Sequence, residues 1–497
     1  MPPTNSAYVE LHDRFARLAH FGDALAIIDW DTQTMMPEGA SDARAQQTAT
    51  LRSFHHELLT DQAVKNLLDA AEGESLDDWQ RANLNEMRRD WIHASAIPGK
   101  LVEATSRAAS ACEQIWRTAR PAADFSAVRA SLGELLRLYR EIAEIKSQAL
   151  GISPYDALLD QYEAGARTTY IDALFADIAD FLPGFLAEVI KRQPKPVDPP
   201  AGPFPIERQR ALGLKMMESM GFDFRFGRLD TSRHPFSSTT PDDARITTRY
   251  DESDFMRSLM GVLHETGHAF YEIGLPKDWR GQPVGRARST GMHESQSLIM
   301  EMQACRSKGF IAHLAPIAAA AFDRSGEKGW DGATLWSAMM RVKPSFIRVD
   351  ADEVTYPAHV ILRYRLEKAL FGGGMEVGDL PKAWNKGMEE LLGITPPDDR
   401  LGCLQDIHWY GGGFGYFPGY TLGAMTAAQL FDAARRANPG LEAAIAQGDF
   451  SLLRNWLVAN VHGQASRYSA DEIVRRATGR GLDTAIFKEH LRKRYLS

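Results

Sequence analysis

Apolar side chains return every three or four positions through most of the chain up to residue 192, which restricts this half to helices packed face against face. Leu132, Leu135, Leu136, Tyr139, Ile142 and Ala143 form one stripe, with Glu134, Arg137, Arg140 and Glu144 elsewhere around the helix. Similar patterns run through residues 8–29, 40–72 and 171–192. Strand-like alternation is scarce, and its best candidate is Arg245 to Tyr250, where β-branched residues cluster. The six prolines between Pro194 and Pro205 exclude a helix interior and read as an exposed loop between two helical lobes. The expected fold is mostly α. It is one large helical domain over residues 1–497, with a deep groove and a small β-sheet beside the helix that carries His264.

A net charge of −8 and a pI near 6.0 argue against a nucleic-acid binder and give no attraction to an anionic membrane. Cys112, Cys305 and Cys403 are too few and too scattered for a disulfide framework or a cysteine metal site, and read as small buried hydrophobes. The N-terminus lacks the basic start and apolar core of a signal peptide. Phe310 to Phe322, the richest apolar run, is too short to span a bilayer and is interrupted by His313 and Pro316. A cytoplasmic location is expected.

Chemistry concentrates in the segment GVLHETGHAF. His264 and His268 are four residues apart, so on a helix both imidazoles share one face and can hold one tetrahedral cation. Glu265, beside the first of them, can reach water at such a metal and act as general base. Met256, Leu259, Met260, Leu263, Gly267 and Phe270 supply an apolar stripe, and Asp251 or Ser253 can cap the helix start. A catalytic site needs a third protein ligand, and no third histidine follows at the HxxGxxH spacing. In GMHESQSLIMEMQACRS, expected to be a later helix with Leu298, Met302 and Cys305 on its core side, Glu294 and Glu301 are both candidates, with Glu294 preferred. His293 is a further ligand or a partner to one. The position four residues after Glu294, where a carboxylate often orients a ligating histidine, is Leu298.

These residues together resemble the carboxypeptidase Taq family of thermostable metallocarboxypeptidases. HESQ stands at His293-Glu294-Ser295-Gln296, DxRxT at Asp243 to Thr247, IRxxAD at Ile347 to Asp352, and GxxQDxHW at Gly402 to Trp409. Trp30-Asp31, Met36-Pro37 and Arg44 match the family's WD…MP…R stretch. The motifs keep the family's order over nearly the whole chain. The resemblance makes Glu294 the third zinc ligand. It also implies a helical, saddle-like homodimer that removes single C-terminal residues from peptides, with broad side-chain tolerance and activity with zinc or cobalt.

A carboxypeptidase needs a cation for the terminal carboxylate, and the planar fork of arginine pairs with it bidentately. Arg348 is the first choice and Arg245 the second; the alternative for each is an ion pair with its own motif aspartate, Asp352 or Asp243. Donors to the oxyanion are sought in the glycine-rich run from His408 to Tyr420, where His408, Tyr416 and Tyr420 are candidates and the glycines would let the segment approach or close over substrate. His234 lines the cleft or serves the core. Three rivals stay open: an oligoendopeptidase, a dipeptidyl carboxypeptidase, and a non-catalytic scaffold stabilised by metal. An aminopeptidase is disfavoured because its GxMEN signature is absent. If Glu265 is the base, Glu265→Gln will keep its metal and lose at least roughly a hundredfold in rate. Retained activity in the metal-loaded variant would sink the assignment.

Overall fold

The computed structural model describes residues 6–240 and 242–496; the first five residues, part of the stretch read for a leader, lie outside them. Local signals set most helix limits. Asp124 caps Phe125–Leu150 by accepting the Ala127 N–H, and Gly151 ends it in the left-handed region. Leu132, Leu135, Leu136, Ile142 and Ala143 of the apolar stripe are buried, and Tyr139 packs against the same core. The pattern over residues 40–72 resolves into Ser41–Thr60 and Gln62–Ala71, because Asp61 turns its carboxylate to the Ala63 N–H and starts a new helix. The proline-rich stretch runs without helix between Thr168–Arg192 and Ile206–Ser219, with Phe204 buried against Phe255 and Phe322. Among the described residues, no helix is long and apolar enough to cross a membrane.

The fold is mostly helical, with a three-stranded sheet of β1 (Gly227–Thr231), β2 (Ser237–Thr240) and β3 (Asp243–Thr248) in the order β1-β3-β2. β1 lies parallel to β3 with Leu229 opposite Ile246, and β2 antiparallel with Ser238 opposite Arg245. The central strand thus starts and ends two residues earlier than the sequence suggested, so the buried positions Ala244 and Ile246 face the helix that follows. That helix, Phe255–Ile273, is capped by Asp254, which accepts the Arg257 N–H. Asp251 and Ser253, the expected caps, instead bond each other in the preceding turn.

Three apolar clusters make the interior: one under the N-terminal helices, one around the sheet and the helix Phe255–Ile273, and one around Phe125–Leu150 and Tyr356–Phe371. The helix Pro418–Ala437 joins the last two, giving Leu422 and Met425 to one and Ala427 and Leu430 to the other. A cavity of about 1010 Å³ opens along this junction.

One helix crossing positions the floor of that cavity. A Cβ on Gly267 would lie 2.6 Å from the Gln296 carbonyl oxygen and from Ser297 Cα, so Phe255–Ile273 and Thr290–Leu298 meet backbone to backbone. On the opposite side a Cβ on Gly423 would come within 2.8 Å of Glu294 Cβ. Gly267→Ala gains roughly 1 kcal/mol of helix propensity. It also creates a backbone clash, and overpacking of that kind costs about 1–3 kcal/mol. We expect the clash to win, lowering the thermal midpoint and weakening metal binding at least roughly tenfold, since a displaced Glu294 falls out of register. Competition against a chromophoric chelator measures this; wild-type affinity in the variant would refute the role given to the crossing.

Candidate active site

The crossing brings Glu294 over the turn that separates His264 from His268. Glu294 Oε2 lies 3.8 Å from His264 Nε2 and 3.6 Å from His268 Nε2, and the three donor atoms fall within 4.8 Å of one another. A tetrahedral cation with bonds of roughly 2.0–2.1 Å sets its ligands about 3.3 Å apart, so each carboxylate–histidine pair fits one after a contraction of tenths of an ångström. Two imidazoles and a carboxylate also leave the fourth position open, as a catalytic site requires.

What stands behind each histidine fixes its tautomer. His264 Nδ1–H donates to Glu301 Oε2 at 2.9 Å, and Glu301 in turn accepts from Arg306 Nη2 at 2.6 Å. Burial works against a charged Glu301, but Arg306 and His264 outweigh it and hold the carboxyl down to about 2. His293 Nε2–H donates to Glu272 at 2.9 Å, leaving its Nδ1 to accept from His268 Nδ1–H at 2.6 Å. Both Nε2 lone pairs therefore point at Glu294. Glu301, a candidate third ligand in the sequence, and His293, left open between ligand and partner, both stand behind the two histidines. The orienting carboxylate comes seven residues after Glu294 rather than four, because Thr290–Leu298 passes into a π-helix over Ile299–Cys305. That change of winding also turns Leu298 and Met302 to the cavity and leaves Cys305 fully buried, so only the last of the three expected core residues is deep in the core.

Glu265 lies beside His264, His268 and Glu294 in the cavity wall, 8% exposed. Burial, reinforced by Glu294 and opposed by His264, pushes its carboxyl up to about 7, a value suited to taking and returning a proton near neutrality.

Arg348 also lines the cavity, but its partner is not Asp352. It donates from Nη2 to Asp406 at 2.8 Å and from Nη1 to the Tyr356 hydroxyl at 2.8 Å. Asp352 serves the turn instead, accepting the N–H groups of Lys343, Val354 and Thr355. Asp406 is shared with the fully buried Arg363, whose Nε donates to it at 2.8 Å. Burial alone would raise the Asp406 carboxyl; the two guanidiniums hold it well below the ordinary range. Two guanidiniums on one carboxylate leave a positive charge in the wall.

The remaining candidates divide. Tyr416 and Tyr420 line the cavity with rings 5.4 Å apart, and the Arg348 guanidinium lies 5.1 Å from the Tyr420 ring centroid. His408 stands outside the cavity lining, stacked on Tyr416 at 5.6 Å with Nδ1 3.9 Å from Asp406; burial, against Asp406, pushes its imidazole down to about 4. Arg245 is bound to its own Asp243 at 2.8 Å and lies over Trp30 at 4.4 Å, away from the cavity. His234 is exposed in the β1–β2 loop, and the residues after it, Pro235 to Ser237, reach the cavity rim. The glycine run is tightly packed rather than free to close: Gly415, at φ 83°, gives its N–H to buried Glu367 at 2.7 Å, and a Cβ there would meet Leu158 backbone at 3.0 Å. Sequence reasoning missed Tyr356, Arg363 and Glu272, because their importance lies in contacts that no spacing in the chain reveals.

The sequence profile described as Carboxypeptidase Taq (M32) metallopeptidase matches residues 10–495. The chain belongs to this family. Thermostable carboxypeptidase 1 of Thermus thermophilus is 38% identical over 503 residues, covering 99% of this chain and 98% of that protein. Carboxypeptidase 1 of Bacillus subtilis is 34% identical, covering 98% and 97%. The solved structure of Trypanosoma cruzi metallocarboxypeptidase 1 superposes with a TM-score of 0.96 at 40% identity, over 99% of both chains. A metallocarboxypeptidase is a peptide hydrolase that works with a metal ion, and His264, His268 and Glu294 form a group able to hold one. Replacing Glu301 by Ala frees the His264 ring, and loss of such a partner typically costs 10–100-fold in metal affinity. Glu301→Gln, which keeps an acceptor, is expected to lose less. Equal affinities for Glu301→Ala and wild type in a chelator titration would remove Glu301 from the site.

Proposed function

We propose that this carboxypeptidase removes single C-terminal residues with zinc held by His264, His268 and Glu294, and that Arg348 fixes the register of the cut. The observation that carries the reading is the unbalanced positive charge of Arg348 and Arg363 on one aspartate in the wall of the metal cavity. A free peptide carboxylate completes that network, whereas an endopeptidase has no use for it. Zinc supplies Lewis acidity toward the last peptide carbonyl and toward water. Glu265 takes the proton of the attacking water and passes it to the leaving amine. The Tyr416 and Tyr420 hydroxyls, kept protonated because burial raises both pKa values, donate to the oxygen on which charge develops. His408, behind Tyr416, supports the ring rather than the reaction. Beyond the metal the cavity wall mixes Leu298, Met302, Val349 and Ala351 with charges already paired to neighbours, which suits broad tolerance for the terminal side chain.

A peptide and its C-terminally amidated twin, followed by mass spectrometry, separate this reading from its rivals. Stepwise loss of single residues from the free acid, with the amide spared at least roughly a hundredfold, is the expected result. Internal cuts in both peptides would discard the carboxylate clamp. Unfolding on chelation without any cleavage would instead favour the metal-stabilised scaffold.

A further inference from the structure

The Gly267 crossing sets how closely the helix Thr290–Leu298 approaches its neighbour, but leaves the slide of that helix along its own axis to other contacts. The slide matters, because Glu294 must lie within reach of two Nε2 atoms at once. The N–H groups that no helical carbonyl takes, at the start of the helix, show what stops it. Met292 N–H goes to the Ser289 hydroxyl at 3.1 Å, an ordinary cap. The two before it leave the local chain. Thr290 N–H donates to the Tyr162 carbonyl at 2.9 Å, and Gly291 N–H donates to Glu163 Oε1. Both acceptors sit in the turn after the helix Pro154–Leu159, a segment outside every motif of the sequence. The turn is itself anchored, since Asp160 accepts the Gly165 N–H at 2.9 Å and the Arg89 Nε–H at 2.9 Å.

Glu163 meets a second helix as well. Its side chain is buried, and a Cβ on Gly291 or on Gly419 would each lie 2.9 Å from Oε1. The carboxylate is thus wedged between the first turns of Thr290–Leu298 and Pro418–Ala437. The second of these carries Tyr420 and, one turn past Gly419, the Gly423 that packs on Glu294. Tyr162, next to Glu163 in the chain, sets its ring edge-on to that of Tyr416 at 5.2 Å. We propose that Glu163 is a positioning residue, holding Glu294 and the tyrosine pair in one frame by fixing the axial register of the two helices. This rests on the metal and oxyanion roles assigned above. Burial pushes the Glu163 carboxyl up to about 7, against the Gly291 N–H, the Ser289 hydroxyl and Arg288, so a neutral acceptor of equal length gives up little.

Two substitutions separate reach from charge. Glu163→Asp keeps the charge and shortens the side chain by one methylene, about 1.5 Å. Glu163→Gln keeps the reach and drops the charge. Zinc affinity is read by competition with a chromophoric chelator, and kinetics on a free-acid peptide at saturating zinc. Glu163→Asp is expected to bind zinc at least roughly tenfold more weakly, the scale of a lost ligand support. Fully loaded, it should still lose kcat at least roughly tenfold with KM within about twofold, because the Arg348 clamp has not moved. Glu163→Gln should stay within about threefold of wild type in both affinity and kcat. A residue serving stability alone would lower the thermal midpoint and leave the loaded enzyme with wild-type kcat; that result for Glu163→Asp overturns the proposal. So does a loss in Glu163→Gln as large as in Glu163→Asp. Should Glu163→Asp not fold, Gly419→Ala takes its place, since its Cβ presses on Glu163 Oε1 and Thr290 from the second helix. Wild-type affinity and kcat there are equally fatal. If the wild-type enzyme cuts internally or not at all, the carboxypeptidase reading falls, and the chelator titration still decides the role of Glu163.

Discussion

The contact between Gly267 and the backbone of Gln296 and Ser297 governs the site more than any side chain in it. Two histidines one turn apart on a helix are a common arrangement; a third ligand from another helix is useful only if the two axes come close enough for a short carboxylate to reach both Nε2 atoms. A single β-carbon at position 267 would occupy the space in which the second helix lies. The π-helix that follows depends on the same placement, since it is the continuation of the helix so positioned that delivers Glu301 to the far side of His264. The places of Glu294, Glu301 and Arg306 are thus three consequences of one helix crossing.

Charge has the same economy on the other wall. Burying a guanidinium is costly, and a well-paired buried ion pair is weak evidence for stability. Arg348 and Arg363 share Asp406, an arrangement that a chain selected only for stability would balance with a second carboxylate. Gln405 accepts the Arg348 N–H and an Arg363 N–H through one amide oxygen, so the pair is held by a neutral group where an acid would cancel the charge. The contrast with Glu353 is instructive. There one carboxylate takes His490, Arg494 and Tyr495 in a neutralised knot that ties the last helix to the segment after Arg348. The first network keeps two guanidiniums on one carboxylate; the second is neutralised.

What could be read from the sequence was what repeats or what sits close in the chain. Helices declared themselves through apolar stripes, though the cap of Phe255–Ile273 is Asp254 and not the expected Asp251 or Ser253, and the His264–His268 spacing needs only helix geometry to put both imidazoles on one face. Glu294 was harder, because Glu301 lies two α-turns away and points the same way in a regular helix; the π-turn that separates their roles leaves no mark in composition or spacing. Asp352, adjacent in its motif, was the natural partner for Arg348. The true partner lies 58 residues on, and only the packing of Tyr356–Phe371 against the loop at Asp406 brings it there. The glycine run misled for a related reason. Gly415 suggests mobility in the sequence, but its positive φ and its bond to Glu367 make it a fixed corner.

The three walls of the cavity differ in stiffness, and the difference follows from what each is made of. The metal wall is backbone on backbone and cannot yield without moving two helices. The wall at Asp406 is a set of charged hydrogen bonds in which Arg348 and Arg363 are both held on one carboxylate. The wall at Arg306 and Glu353 is cross-linked by ion pairs, Arg306 to Glu301 and Arg494 to Glu353, and Arg494 also bonds the Met302 carbonyl of the π-helix. Each wall thus keeps its shape by a different means: helix contact on one side, a shared carboxylate on the second, ion pairs to the last helix on the third.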